Sequence, residues 1–164
     1  MPEQATLRRA RRDKRAGKSP TTQAGEFVRE EMHHIREGKH GAASTKQAVA
    51  IGLSKARRAG VKLGRPPASA KPRTKESAAS ATRAAHRKAR PSPRRSRAIR
   101  RTLKREGHTA ASRAALRRQA KSAARRRPRS ARRASARKAA RTKGPRLRRA
   151  AARKAARTRR RRAS

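Results

Sequence analysis

From residue 20 to residue 63 the apolar positions fall on two helical stripes separated by a polar, glycine-containing turn. Ala24, Phe27, Val28, Met32 and Ile35 recur at three- and four-residue steps, which predicts a helix over residues 20–37 with one buried face. Ser19 followed by Pro20 supplies a capping hydroxyl and a first helical residue whose φ is already set, and Gly38 is a natural stop. The opposite face carries Glu26, Glu30, Glu31 and Glu37 with Arg29 and Arg36, and reads as solvated. A second helix is predicted over residues 46–59. Ser44 and Gln47 have the spacing of a capping box, Ala48, Val49, Gly52, Leu53 and Ala56 share a face, and Lys55, Arg57 and Arg58 load the last turn, where the helix dipole favours cations. Gly52 lowers helix propensity by about 1 kcal/mol, so its expected use is to let another helix approach closely. Folding the second helix onto the first through EGKHGAAS makes a hairpin over residues 19–63. Its packing residues are Phe27, Val28, Met32, Ile35, Val49 and Leu53, with Val61 and Leu63 as a lid.

Elsewhere the periodicity thins. Residues 1–18 read as a basic N-terminal arm, and the Pro-rich GRPPASAKPR opens a basic linker over residues 64–96. Residues 97–127 form an island in which Ile99 and Leu103 lie one turn apart before Gly107, and Leu116, Ala120 and Ala123 continue after it. Its REGHTAAS echoes REGKHGAAS at 36–44, a second helix–turn–helix plan that has lost most of its core residues. In the tail, residues 128–164, the heptapeptide ARKAART occurs at 136–142 and again at 152–158. Pro91, Pro93, Pro128 and Pro145 divide the segments.

Composition changes what this pattern can build. Of the 164 residues 54 are Lys or Arg and 8 are Asp or Glu, a formal charge of +46. The apolar share is mostly Ala, with one Phe and neither Trp nor Tyr. Ordering a residue costs about 1–2 kcal/mol of backbone entropy, and Ala/Arg sequence has little apolar area with which to offset it. The expected fold class is therefore mostly α, a small N-terminal helical hairpin followed by a largely disordered or isolated-helix Ala/Arg-rich basic tail. Charge is uneven along the chain: residues 1–68 hold 16 basic and 6 acidic residues, the remaining 96 hold 38 and 2.

A polycation of this density calls for a polyanion. Duplex DNA carries one charge per about 1.7 Å of axis, so +46 matches about 23 base pairs. There is no cysteine, no signal-like apolar segment and no stretch long enough to span a membrane. The chain is read as a soluble protein of the cytoplasm, associated with the nucleoid.

Residues 25–63, GEFVREEMHHIREGKHGAASTKQAVAIGLSKARRAGVKL, resemble a family of small basic bacterial proteins classed by a domain of unknown function. The STKQA-AIGLSKARRAG core and the preceding KSPTTQAGEFVRE carry the likeness, and some relatives bear a plasmid-stabilisation label. The tail is similar in composition to linker-histone and histone-like bacterial tails. The resemblance implies a DNA-associated bacterial protein and supplies no catalytic residues.

The residues themselves point the same way. No phosphate-binding glycine loop, nucleophile elbow or acid–base constellation is present, so no enzymatic activity, cofactor or metal is expected. Glu30-x-x-His33 and Glu31-x-x-His34 have the spacing of carboxylate-bridged metal sites but read as a charged surface, and His40, His86 and His108 lie where no ligand set converges. The single aromatic ring, Phe27, belongs to the apolar stripe, so stacking on single strands is not expected. The expected function is non-sequence-specific DNA binding that neutralises the phosphate backbone and compacts or bridges DNA; the alternative is an RNA- or ribosome-associated basic protein. The expected contacts are Arg57, Arg58, Arg100, Arg101, Lys104, Arg117, Arg118, Arg125, Arg126, Arg127, Arg137, Lys138, Arg141, Arg153, Lys154, Arg157, Arg159, Arg160, Arg161 and Arg162. Self-association through residues 19–63 is a further expected contact, and the acidic face of the first helix is expected to hold the free tail in cis.

Overall fold

A computed structural model describes residues 2–87 and 92–163; the side chains of Lys143, Arg162 and Ala163 lie outside that description, as does the expected break at Pro91. The described residues form seven α-helices and one short 3-10 turn: α1 (Gln4–Arg15), α2 (Pro20–Arg36), α3 (Thr45–Arg58), α4 (Pro72–Ala85), α5 (Pro93–Arg105), the turn Thr109–Ala111, α6 (Arg113–Arg126) and α7 (Arg129–Ala163). They fall into two compact units, residues 1–119 and 120–164.

In the first unit α2 and α3 are the central pair. The Ser19 hydroxyl accepts the Thr22 amide at the start of α2, and the Ser44 hydroxyl accepts the Gln47 amide at the start of α3. Gln47 answers one residue upstream of the usual box, its Oε1 accepting the Ala43 amide at 2.9 Å. A Cβ on Gly52 would lie 2.7 Å from the Val28 Cα, so the two helices cross where α3 has no side chain. One apolar cluster joins Leu7, Ala10, Ala24, Phe27, Leu53, Ala56, Val61 and Leu63; the other joins Val28, Met32, Ile35, Ala42, Ala48, Val49, Ala110, Ala111 and Leu116. The start of α2 thus meets the end of α3, and the pair is antiparallel.

Three further segments cover this pair. Helix α1 packs along α2 and buries Thr6, Ala10 and Asp13, one face at three- and four-residue steps. Helix α4 packs on α3 and buries Ala81. The second glycine turn docks on the first through backbone: Gly41 donates to the Leu103 carbonyl at 2.8 Å and Ala42 to the Gly107 carbonyl at 3.0 Å. Thr45 Oγ1 donates to the Ala110 carbonyl at 2.7 Å and Arg36 Nε to the Ala111 carbonyl at 2.9 Å. A Cβ on Gly41 would run into the Glu106 carbonyl, so only glycine fits this seam.

The second unit holds the end of α6 and all of α7. Helix α7 breaks at Gly144, whose φ of 63° and ψ of 170° are not helical, immediately before Pro145. Proline disfavours helical backbone in the residue before it, and glycine accepts the positive φ. Two helical arms result, each carrying one ARKAART copy.

The architecture corrects the expected fold. The chain is not a hairpin with a disordered tail; helices continue to Ala163 among the described residues. Two physical reasons account for the difference. Ala is the best helix former and Arg and Lys are close behind it, so backbone hydrogen bonds propagate without the buried core that the disorder argument required. The echo at 105–112 has indeed lost its large apolar residues, but it docks through backbone hydrogen bonds and the small Ala110 and Ala111, which hydrophobicity does not register.

Candidate nucleic-acid interface

The expected basic contacts occupy surfaces on both units. In the first, Arg57 is half-buried, and its Nη2 donates to the Gly64 carbonyl at 2.8 Å, tying the end of α3 to the chain that follows. Arg58 beside it is exposed, as are Arg100, Arg101 and Lys104 on α5 and Arg117 and Arg118 on α6. The α5 cations lie three and four residues apart and share a face, leaving Ile99 and Leu103 on another.

Arg125 and Arg126 are exposed in the last turn of α6. Arg127, between α6 and α7, is exposed, and its Nη2 donates to Ser135 Oγ at 2.7 Å. Arg137, Lys138 and Arg141 are exposed on the first arm of α7, and Arg153, Lys154, Arg157, Arg159, Arg160 and Arg161 on the second. Arg153, Lys154, Arg157 and Arg161 line one shallow surface with Thr158. The side chain of Arg162 lies outside the described residues. A rise of about 1.5 Å per residue makes the two arms roughly 20 and 30 Å long, with cations around the whole cylinder and no apolar stripe to turn them toward protein.

The acidic face of α2 differs from its expected role. Glu30 and Glu31 are buried, because α1 and the Lys55 side chain cover the face that the sequence presents as solvated. Arg9 Nε lies 2.6 Å from Glu26 Oε2, the Glu3 amide donates to Glu30 Oε2 at the start of α1, and Lys55 Nζ lies 2.6 Å from Glu31 Oε2. Lys39 pairs with Glu37 and Glu3. These acids are engaged inside the first unit. The hydrogen bond from His34 holds the Glu3 carboxyl below its ordinary range; partial loss of water opposes this, and the bond and charge of Lys39 reinforce it. Lys39 is held above its ordinary value, chiefly by its hydrogen bond to Glu37.

His40 also departs from expectation. The turn after α2 brings its ring against Glu31 and His34, a convergence not visible along the chain because the end of α2 and a glycine turn separate His34 from His40.

Sequence reasoning missed the cations of α1 as part of a shaped surface. Arg8, Arg11, Arg12, Lys14 and Arg15 are exposed on a helix whose other face is buried. The signal was present in Thr6, Ala10 and Asp13, but small and polar residues do not read as an apolar stripe. The apolar face of the hairpin is covered within the chain by α1, the 103–116 segment and the Val61–Leu63 lid.

Residues 11–67 match a family described as "Family of unknown function (DUF6496)". The match runs from within α1 through α2 and α3 to the Pro-rich segment after them, and marks that stretch as a domain of unknown function. No curated protein and no solved structure matches the chain. Among the described residues no helix is long and apolar enough to cross a membrane.

Proposed function

We propose that this chain is a non-enzymatic, nucleoid-associated DNA-binding protein of the bacterial cytoplasm, histone-like in its tail, which neutralises the phosphate backbone with weak sequence preference and so compacts or bridges DNA. The observation that carries this reading is the sorting of charge: buried or paired acids lie inside the first unit, while exposed cations cover α5, α6 and both arms of α7. Each phosphate neutralised by a side-chain cation releases a condensed counterion and contributes to affinity without reading a base. A helix with cations all round accepts a backbone on more than one side, which favours bridging over a single docked orientation. The resemblance of residues 25–63 to small basic proteins, some labelled for plasmid stabilisation, is compatible with this role, since coating and compacting DNA need no catalytic residue.

The test is an anisotropy titration of a labelled 30-base-pair duplex of mixed sequence, at physiological salt, with unlabelled duplexes of unrelated sequence and a structured RNA hairpin as competitors. The duplexes are expected to compete within about threefold of one another and better than the RNA, because phosphate contacts carry no sequence information. Preference for one duplex by about 100-fold, or stronger competition by the RNA, overturns the reading. The second outcome transfers it to an RNA- or ribosome-associated protein.

A further inference from the structure

We infer that Glu31, His34 and His40 form a binding site for a divalent transition-metal ion of the zinc class. One ligand atom from each of the three lies within 4.8 Å of the other two. The Glu31 Oε1 to His40 Nε2 separation is 3.2 Å. A tetrahedral ion with bonds of about 2.0–2.1 Å needs ligand atoms roughly 3.4 Å apart, so that pair is already spaced for it and His34, within 4.8 Å of both, has to close in by at most about 1.4 Å. Two imidazoles and one carboxylate suit zinc-like ions and leave a fourth position for water.

The protonation pattern supplies the second argument. His40 Nδ1 sits 3.0 Å from the Gly41 carbonyl, which can only accept, so Nδ1 carries the hydrogen. In the neutral ring Nε2 then presents a lone pair to Glu31 Oε1, and that contact is favourable only with a positive charge between or on the two groups. Glu31 is fully buried, and among the described residues its Oε1 faces the His40 ring with no donor in hydrogen-bonding geometry. Lys55 Nζ serves Oε2 at 2.6 Å and approaches Glu30 Oε1 at 3.6 Å. One ammonium thus faces two buried carboxylates, which leaves the pair one positive charge short and Oε1 turned toward the histidines.

The outer groups complete a metal site. His34 Nε2 lies 2.8 Å from Glu3 Oε1 and His40 Nδ1 lies on the Gly41 carbonyl, so each ring has one nitrogen held by an oxygen and one lone-pair nitrogen remaining. Carboxylate and carbonyl partners of this kind fix the tautomer and raise the basicity of a ligating imidazole. A cleft of about 270 Å³ reaches His34 from solvent, lined by the carboxylates of Glu3, Glu30 and Glu37 and by the cations of Arg9, Arg29 and Lys39. Charges elsewhere on the basic chain are screened beyond about 8 Å at physiological ionic strength. An ion here would join the turn after α2 to α2 itself, and so stiffen the seat on which Leu103 and Gly107 dock.

The test uses the full chain, stripped of nucleic acid and treated with chelator, in two measurements. In calorimetric titration with Zn²⁺, one ion per chain is expected to bind, with affinity falling about tenfold or more in His34→Gln and in His40→Gln and unchanged in His86→Gln and His108→Gln; helicity by circular dichroism checks folding. With Co²⁺ the unaltered protein is expected to give the intense visible absorption of a four-coordinate site, which needs no variant. Absence of saturable Zn²⁺ binding and of that absorption, or binding that survives in both His34→Gln and His40→Gln, overturns the site and leaves the contact of His40 with Glu31 a structural one.

Discussion

In residues 1–119 a helix such as α3 is held by what covers it: Ala48 and Ala56 are fully buried, Gly52 lies against Val28, and Lys55 reaches across to two carboxylates of α2. In residues 120–164 helix α7 exposes nearly every described side chain, and its order comes from hydrogen bonds along its own backbone. The same residue types make both regions, so Ala and Arg content does not separate a packed helix from an uncovered one. What separates them is whether small residues recur at helical steps beside a partner with matching polar groups. The first unit spends its acids on that matching; the second has none, since Glu106 is the last acidic residue in the chain.

This contrast can be broken most severely at Lys55. Replacing it with Met leaves Glu30 and Glu31 buried without their ammonium, and removing one member of a buried pair costs about 3–5 kcal/mol; because Lys55 is partly exposed, the lower end is expected. Denaturant unfolding of the first unit should show the loss, while the helical signal of the second unit stays unchanged. Gly52→Val drives a side chain into the α2 backbone and should cost about 1–3 kcal/mol, read as faster amide exchange throughout α2 and α3. Gly41→Ala is expected to act on a narrower front, releasing the 103–111 segment, so that the amides of Gly41 and Ala42 lose protection while α1 keeps its own. The smallest effect sharpens the other side of the comparison: Ala151→Gly in α7 should lower local helix stability by about 1 kcal/mol and leave the unfolding of the first unit unmoved. A change in that unit's midpoint would show that α7 is held by more than itself.

Much of the central pair was legible. Ser19 and Pro20, Ser44 and Gln47, and the Gly52 crossing are local signals, and each is present in the fold at its position. Helix α1 was not legible as a packed element because its buried face is Thr6, Ala10 and Asp13, residues whose individual patterns point to the surface. Nor was the docking of residues 103–111, whose hydrogen bonds come from main chain and leave no trace in side-chain chemistry; the repeated REG and AAS fragments were the only hint. The cations of the candidate interface could be named from sequence, whereas the burial of Glu30 and Glu31 and the meeting of His40 with Glu31 depend on a turn and on a covering helix. Tertiary contact decides those, and periodicity along one segment cannot report it.

The division of labour between the two regions is tested most directly by the salt dependence of duplex binding in the whole chain and in a chain ending at Arg127. Each phosphate neutralised contributes about −0.9 to the slope of log affinity against log salt. If α7 supplies ten or more of these contacts, the full chain is expected to be steeper by about 9 units or more, and to bind more tightly by at least about 1,000-fold at physiological salt. Equal slopes and affinities in the two chains would contradict the account and place the nucleic-acid surface on the first unit.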